Sequence, residues 1–266
     1  MTVAAGRGAG GSSAPAPVAP PAIEVRNVHK AYGPRGNHVL ALQDISLSVA
    51  RGEFVCLVGA SGCGKSTLLT LLARLERSQA GWIETRGRVS LLFQEAALFP
   101  WLTASQNVEL ALRLAGAPRD ERTPRASALL DMVHLQGFAD RRPHELSGGM
   151  RQRTALARAL AQDAEILLMD EPFGALDAMT RDFLHDELER LWTETRFTAL
   201  FVTHDVREAV RLADRVIVLT SRPGRVAEEF PVDLPRPRTA GDPHVGALTE
   251  RITERLREEV RRHADG

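Results

Sequence analysis

The sequence predicts a mixed α/β fold: a mixed sheet core, an antiparallel β subdomain ahead of it, and an α-helical subdomain inserted into it. Three observations carry that reading. Phe54-Val55-Cys56-Leu57-Val58 is apolar on both faces, as a central parallel strand is, and runs directly into a glycine-rich turn. Ile166 to Met169 repeats the fully apolar pattern and ends on Asp170 and Glu171. Between Glu95 and Gln162 strand patterning disappears, and apolar residues recur at helical spacing.

Taken in order, residues 1–22 are mostly Ala, Gly, Pro and Ser, with Arg7 the one charged side chain. They lack the unbroken apolar core of a secretory signal and read as a disordered leader. From Ile23 to Val28, and again from Ile45 to Val49, apolar and polar residues alternate, which predicts antiparallel strands with one buried face. Lys65 to Leu75 reads as a helix and Val89 to Phe93 as a buried strand. The insert, about residues 95–162, carries helices over Val108–Leu114, Ala126–Val133 and Met150–Leu160. The β/α pattern resumes with strand Ile166–Met169, helix Met179–Thr195, and strands Ala199–Val202 and Val216–Leu219. Leu248, Ile252, Leu256 and Val260 fall four apart, giving the 239–266 tail a helix with one apolar stripe and a solvated charged face. The main domain therefore spans 23–238.

A chain of 266 residues with 44% hydrophobic content can bury one substantial core. Its 34 Lys and Arg balance 34 Asp and Glu, so no net field draws it to nucleic acid or to an anionic membrane surface. Its two cysteines, Cys56 and Cys63, offer no disulfide framework and suit a reducing compartment. No apolar stretch approaches the roughly 20 residues that span a bilayer.

Gly59-Ala60-Ser61-Gly62-Cys63-Gly64-Lys65-Ser66 fits G-x-x-x-x-G-K-[ST] and sits between a buried strand and a helix, as that motif requires. Such glycines let the backbone wrap phosphate oxygens, and the N–H groups and helix N-terminus stabilise negative charge. Lys65 neutralises β and γ phosphates, Ser66 ligates Mg²⁺, and Thr67 completes the ATP-binding set. A chance match somewhere in a chain this long is on the order of one in a hundred at average residue usage. Asp170 can hold Mg²⁺ through water, and Glu171 can polarise the attacking water. Alone, an Asp-Glu pair after a strand is more often a helix N-terminal charge; the upstream loop reverses that balance. Cys63 reads first as a small filler. A thiol at a helix N-terminus can also be acidified, in which case alkylation blocks turnover and ATP protects.

Leu146-Ser147-Gly148-Gly149-Met150-Arg151-Gln152-Arg153 is a second Ser/Gly turn opening a helix, and here the chain resembles the ATP-binding cassette (ABC) family. The resemblance covers about Ile23 to Arg238 and implies a P-loop NTPase of ABC type, an ATPase. It implies a homodimer packed head to tail, in which Ser147, Gly148 and Gly149 of one copy complete the phosphate loop of the other. It further implies that Tyr32 stacks on adenine and that Gln94 contacts Mg²⁺ and the lytic water. Asp177 then matches the loop crossing the dimer interface, and His204 the switch histidine at the γ-phosphate. Without that resemblance, Tyr32 could be core and His204 a surface residue.

Three functional classes compete: the motor of an importer, a soluble cassette ATPase of DNA repair or translation, and a binding module that no longer hydrolyses ATP. Intact Glu171 and His204 disfavour the third. The absence of a second cassette or sustained heptads disfavours the second. Glu95 to Thr103 concentrates Leu98, Phe99, Pro100 and Trp101 in a connecting loop, where buried packing competes with a groove for a partner helix. In the family this is where the permease docks. Leu98-Phe99-Pro100-Trp101-Leu102-Thr103, Ser221-Arg222-Pro223-Gly224-Arg225-Val226 and Asp233-Leu234-Pro235-Arg236-Pro237-Arg238 resemble the nitrate, sulfonate and taurine importer branch. The expected cargo is an aliphatic sulfonate, with nitrate, taurine or a thiamine-precursor-type solute as alternatives. The expected partners are permease subunits and, indirectly, an extracytoplasmic solute-binding protein, with the chain peripheral on the cytoplasmic face of the membrane. The stretch beyond His204 is too short for the regulatory β-domain of sugar-importer relatives.

Overall fold

A computed structural model describes residues 19–34, 38–239 and 241–264. The leader reading of residues 1–22 falls mostly outside them. Of its described end, Ala22 is buried, donates its N–H to the Val49 carbonyl and accepts from Arg86 N–H, so it belongs to the sheet that follows.

The first sheet is antiparallel, in the order β2-β1-β4, from β1 (Ile23–Tyr32), β2 (Val39–Val49) and β4 (Ala80–Thr85). The alternation in the sequence marks only half of β1 and β2. Register shifts in β1, with Asn27 at φ 49° and Asp44 at φ 54°, break the two-residue period, and Asn27 donates to the Asp44 carboxylate at 2.7 Å across the break. No alternation marks β4, because none of its residues is fully buried.

The second sheet has six strands in the order β5-β6-β7-β3-β8-β9. These are β3 (Phe54–Val58), β5 (Val89–Leu92), β6 (Ile166–Asp170), β7 (Thr198–Thr203), β8 (Arg215–Leu219) and β9 (Val226–Pro231). All pair in parallel except β9, an antiparallel edge strand whose one fully buried residue is Phe230. The doubly apolar strands feed two cores. Phe54, Cys56 and Val58 face Leu188 and Trp192 of α5 (Ala178–Thr195), whereas Val55 and Leu57 face α1 (Lys65–Leu72) and the antiparallel sheet. Each core is covered on both sides, which is why β3, β6 and β7 tolerate no polar alternation.

The insert contains α2 (Ala104–Leu114), α3 (Arg119–Met132) and α4 (Gly148–Leu160), with short 3-10 turns between the last two. The capping box of Thr103 and Gln106 starts α2. α3 begins well before the predicted Ala126, because Pro124 is tolerated inside it despite lacking an N–H. α6 (Val206–Leu212), absent from the sequence reading, is seven residues long and is capped by the Asp205 carboxylate. The tail carries α7 (Pro243–Ala264). Among the described residues no helix is long and apolar enough to cross a membrane.

Candidate functional site

The phosphate loop leaves β3 at the carboxyl edge of the main sheet, where open α/β sheets bind ligands. Gly62 and Gly64 adopt φ of 75° and 98°. A Cβ on Gly64 would lie 2.5 Å from Leu42 Cδ2 and 2.8 Å from the Ala41 carbonyl oxygen, so only glycine fits there. Lys65 Nζ folds back across the loop, donating to the carbonyls of Gly59 at 2.8 Å and Ala60 at 3.0 Å.

Cys63 is the small buried filler that the sequence reading places first, and not an acidified thiol. Its side chain is 1% exposed, and burial pushes the thiol up, against the opposing pull of nearby Lys65. Access and a lowered pKa are both needed for reactivity, and neither is present.

A cleft of about 600 Å³ opens over this loop. Ser61, Gly62, Gly64, Lys65, Ser66 and Thr67 form its floor; Tyr32, Val39 and Ala41 form one wall, and Gln94, Glu171 and His204 another. Arg222 closes the rim. Tyr32 is set by its hydroxyl, which donates to Glu76 at 2.9 Å, and by Lys30 Nζ, 4.8 Å from the ring centroid. That leaves an exposed aromatic surface suited to stacking on a planar base.

β6 delivers the carboxylates. Asp170 is buried, which raises its pKa, while a hydrogen bond from the Ser66 hydroxyl pulls the other way. Glu171 turns out of the strand at φ 46° and accepts a hydrogen bond from His204 Nδ1 at 3.1 Å, with His204 carried just beyond β7. Because β6 and β7 are paired neighbours, the sheet ladder itself brings these two residues together across 33 positions of sequence. Gln94 is exposed on the cleft wall. Its strand ends at Leu92 rather than Phe93, whose carbonyl instead accepts from the buried Gln152 Nε2 of α4 at 3.2 Å. Ser66, Asp170 and Gln94 supply a small set of oxygen donors, one of them a buried carboxylate with the Ser66 hydroxyl acting on it. Mg²⁺, which keeps several waters and phosphate oxygens, fits such a set.

The remaining expected residues stand apart. Ser147 caps α4, its Oγ accepting from Met150 N–H at 3.2 Å, and Asp177 caps α5, accepting from Thr180 N–H at 3.0 Å and Thr180 Oγ1 at 2.7 Å. Those bonds hold the Asp177 carboxyl below its usual range. Ser147, Gly148, Gly149 and Asp177 do not line the cleft of their own chain. They adjoin one another, with a Cβ on Gly149 reaching within 3.0 Å of Leu176 Cδ2.

A second groove, about 680 Å³, lies between the end of β5, α2 and α4, lined by Phe93, Ala97, Phe99, Leu110 and Leu114 among others. Arg158 pins its loop by donating to the carbonyls of Ala97 at 2.8 Å and Ala96 at 3.0 Å. Within that loop Ala96 and Leu98 pack against the core while Phe99 is half-exposed on the groove and Trp101 beside it is 67% exposed, so the loop divides between buried packing and groove wall. Sequence reasoning missed Val39, Ala41 and Arg222 as cleft residues. Only tertiary pairing brings them there.

Comparison with known proteins agrees with this geometry. Residues 42–174 match the ABC transporter family. The chain is 47% identical over 246 residues to an aliphatic sulfonates import ATP-binding protein of Burkholderia lata, covering 90% of this chain and 73% of the relative. It is 46% identical over 221 residues to a nitrate import ATP-binding protein of Synechocystis, covering 80% and 83%. A dimeric ATP-binding cassette solved in a post-hydrolysis state with ADP and Pi superposes with a TM-score of 0.74 at 35% identity, covering 80% of this chain and 99% of that one. The chain belongs to the ATP-binding subunits of ABC transporters, a family of ATPases, in the branch that holds the sulfonate and nitrate relatives.

Proposed function

We propose that this ATPase is the motor of an importer for a small anionic solute, an aliphatic sulfonate ahead of nitrate or taurine. It works as a head-to-tail homodimer attached to separate permease subunits on the cytoplasmic face of the membrane, with a solute-binding protein delivering the cargo. The observation that carries the reading is the division of the site: one chain has a nucleotide cleft lacking Ser147, Gly148, Gly149 and Asp177, and holds those residues as two adjacent helix caps elsewhere. A second copy turned head to tail would bring them over the cleft.

In that arrangement Tyr32 stacks on the base, and the N–H groups of Gly62 to Thr67 surround the phosphates. Lys65 exchanges its loop carbonyls for phosphate oxygens. Glu171 accepts a proton from the attacking water, and His204, bonded to Glu171, orients that carboxylate and approaches the γ-phosphate. Ser66, Asp170 and Gln94 would hold Mg²⁺, which neutralises charge developing on the phosphates. The groove beside Phe99 and Trp101 supports permease docking, because an apolar channel on the loop after Gln94 couples a partner helix to a cleft residue. The sulfonate assignment rests on the Burkholderia relative.

Glu171→Gln tests the mechanism. The variant is expected to bind ATP with parental affinity, to lose at least a hundredfold in turnover, and to run as a dimer with ATP but not ADP in size exclusion. Parental turnover would remove Glu171 from its role.

A further inference from the structure

Arg222 occupies the rim of the nucleotide cleft without a carboxylate partner among the described residues. Its Nε donates to the Gly62 carbonyl at 3.3 Å, and its Nη2 would lie 3.3 Å from a Cβ built on Gly62, so the guanidinium rests against the phosphate loop at the cleft rim. The turn that presents it is heavily braced. Thr220 N–H donates to Arg225 O at 2.9 Å, and Thr220 Oγ1 donates to Pro223 O at 2.8 Å. Gly224 N–H donates to Ala41 O and Gly224 O accepts from Gln43 N–H, both at 2.9 Å. Ser221 Oγ reaches the Glu259 carbonyl of α7 at 3.4 Å. A long, entropically costly side chain is thus mounted on a rigid turn, with one donor engaged and its terminal donors unpaired among the described residues.

We propose that Arg222 is a nucleotide-contacting residue, a second fixed cation that binds the polyphosphate alongside Lys65. A planar guanidinium presents parallel N–H donors to phosphate oxygens, and a preorganised one gives up little conformational freedom on binding. The competing role is a brace that only holds Gly62 in position. The proposal rests on ATP occupying this cleft, and Lys65→Ala checks that separately: loss of ATP binding there upholds the cleft whatever Arg222 does.

The experiment is equilibrium titration of the full chain with ATP, ADP and adenosine, at two salt concentrations, for the parent, Arg222→Gln and Arg222→Lys. Gln retains an N–H for the Gly62 carbonyl but no charge. Arg222→Gln is expected to weaken ATP and ADP binding by about 10- to 100-fold, the range of charge-assisted hydrogen bonds, and to leave adenosine unchanged. Its ATP affinity should also depend less on salt, and Arg222→Lys should recover part of the loss. Parental ATP affinity in Arg222→Gln overturns the proposal. So does an equal loss of adenosine affinity, or a Lys variant as weak as Gln, since either outcome marks a brace.

Discussion

A methyl group at Gly224 would place its carbon 2.1 Å from the Cys63 carbonyl oxygen and 3.2 Å from Leu42 Cδ2, inside any tolerable contact. Gly224→Ala must therefore push the phosphate loop or the turn away. Overpacking of this kind costs about 1–3 kcal/mol, and here the displaced atoms belong to the loop that binds ATP. The expected outcome is a lowered melting temperature together with ATP affinity reduced by more than tenfold, both read from a nucleotide-dependent thermal shift. Nothing in the local sequence marks Gly224 as indispensable, because its constraint comes from residues about 160 positions away. The placement of Lys65, Asp170 and Glu171 was legible for the opposite reason: each is fixed by its immediate strand-to-turn context. At Cys63 the sequence left filler and acidified thiol both open, since position at a helix start is a sequence property and burial is not; burial decides for the filler.

Elements separate along the same line. β3, β6 and β7 were legible because burial on both faces leaves a continuous apolar run, whereas β4 and β9 were missed because edge strands with little burial leave none. α6 is too short for helical periodicity, and what secures it is a lateral lock to α5. His185 Nε2 donates to Glu208 at 2.6 Å with both side chains buried, and Arg211 binds Asp182 at 2.9 Å and Asp186 at 2.7 Å. α5 begins beside Asp177 and α6 follows His204, so this lock joins the segments that carry the proposed interface and γ-phosphate residues. His185→Leu strands a buried carboxylate and should lower stability by about 3–5 kcal/mol. Adding Glu208→Leu should return most of it, as measured by denaturant unfolding of both variants.

For the whole molecule, the sequence already contained the tension that a dimer relieves: two Ser/Gly turns able to bind phosphate, and one lysine between them. Only the structure adds that Ser147 and Asp177 adjoin each other away from their own cleft. Ser147→Arg, a bulky cation at the α4 cap, should leave ATP binding by the single chain within about threefold. It should abolish the ATP-dependent dimer and reduce ATPase activity to background, with light scattering and phosphate release as the readouts. Sheet order was not legible, because β8 and β7 flank β3 through crossovers that no local pattern records.

The turn from Thr220 to Arg225 ties three parts of the fold together. Gly224 bonds to β2 through both its N–H and its carbonyl while pressing on the phosphate loop, and Ser221 reaches α7. The antiparallel sheet that carries Tyr32 and the phosphate loop on the main sheet are therefore riveted into one rigid jaw. In the proposed dimer that jaw would swing as one piece, so the halves of each cleft would part together when the two motors separate.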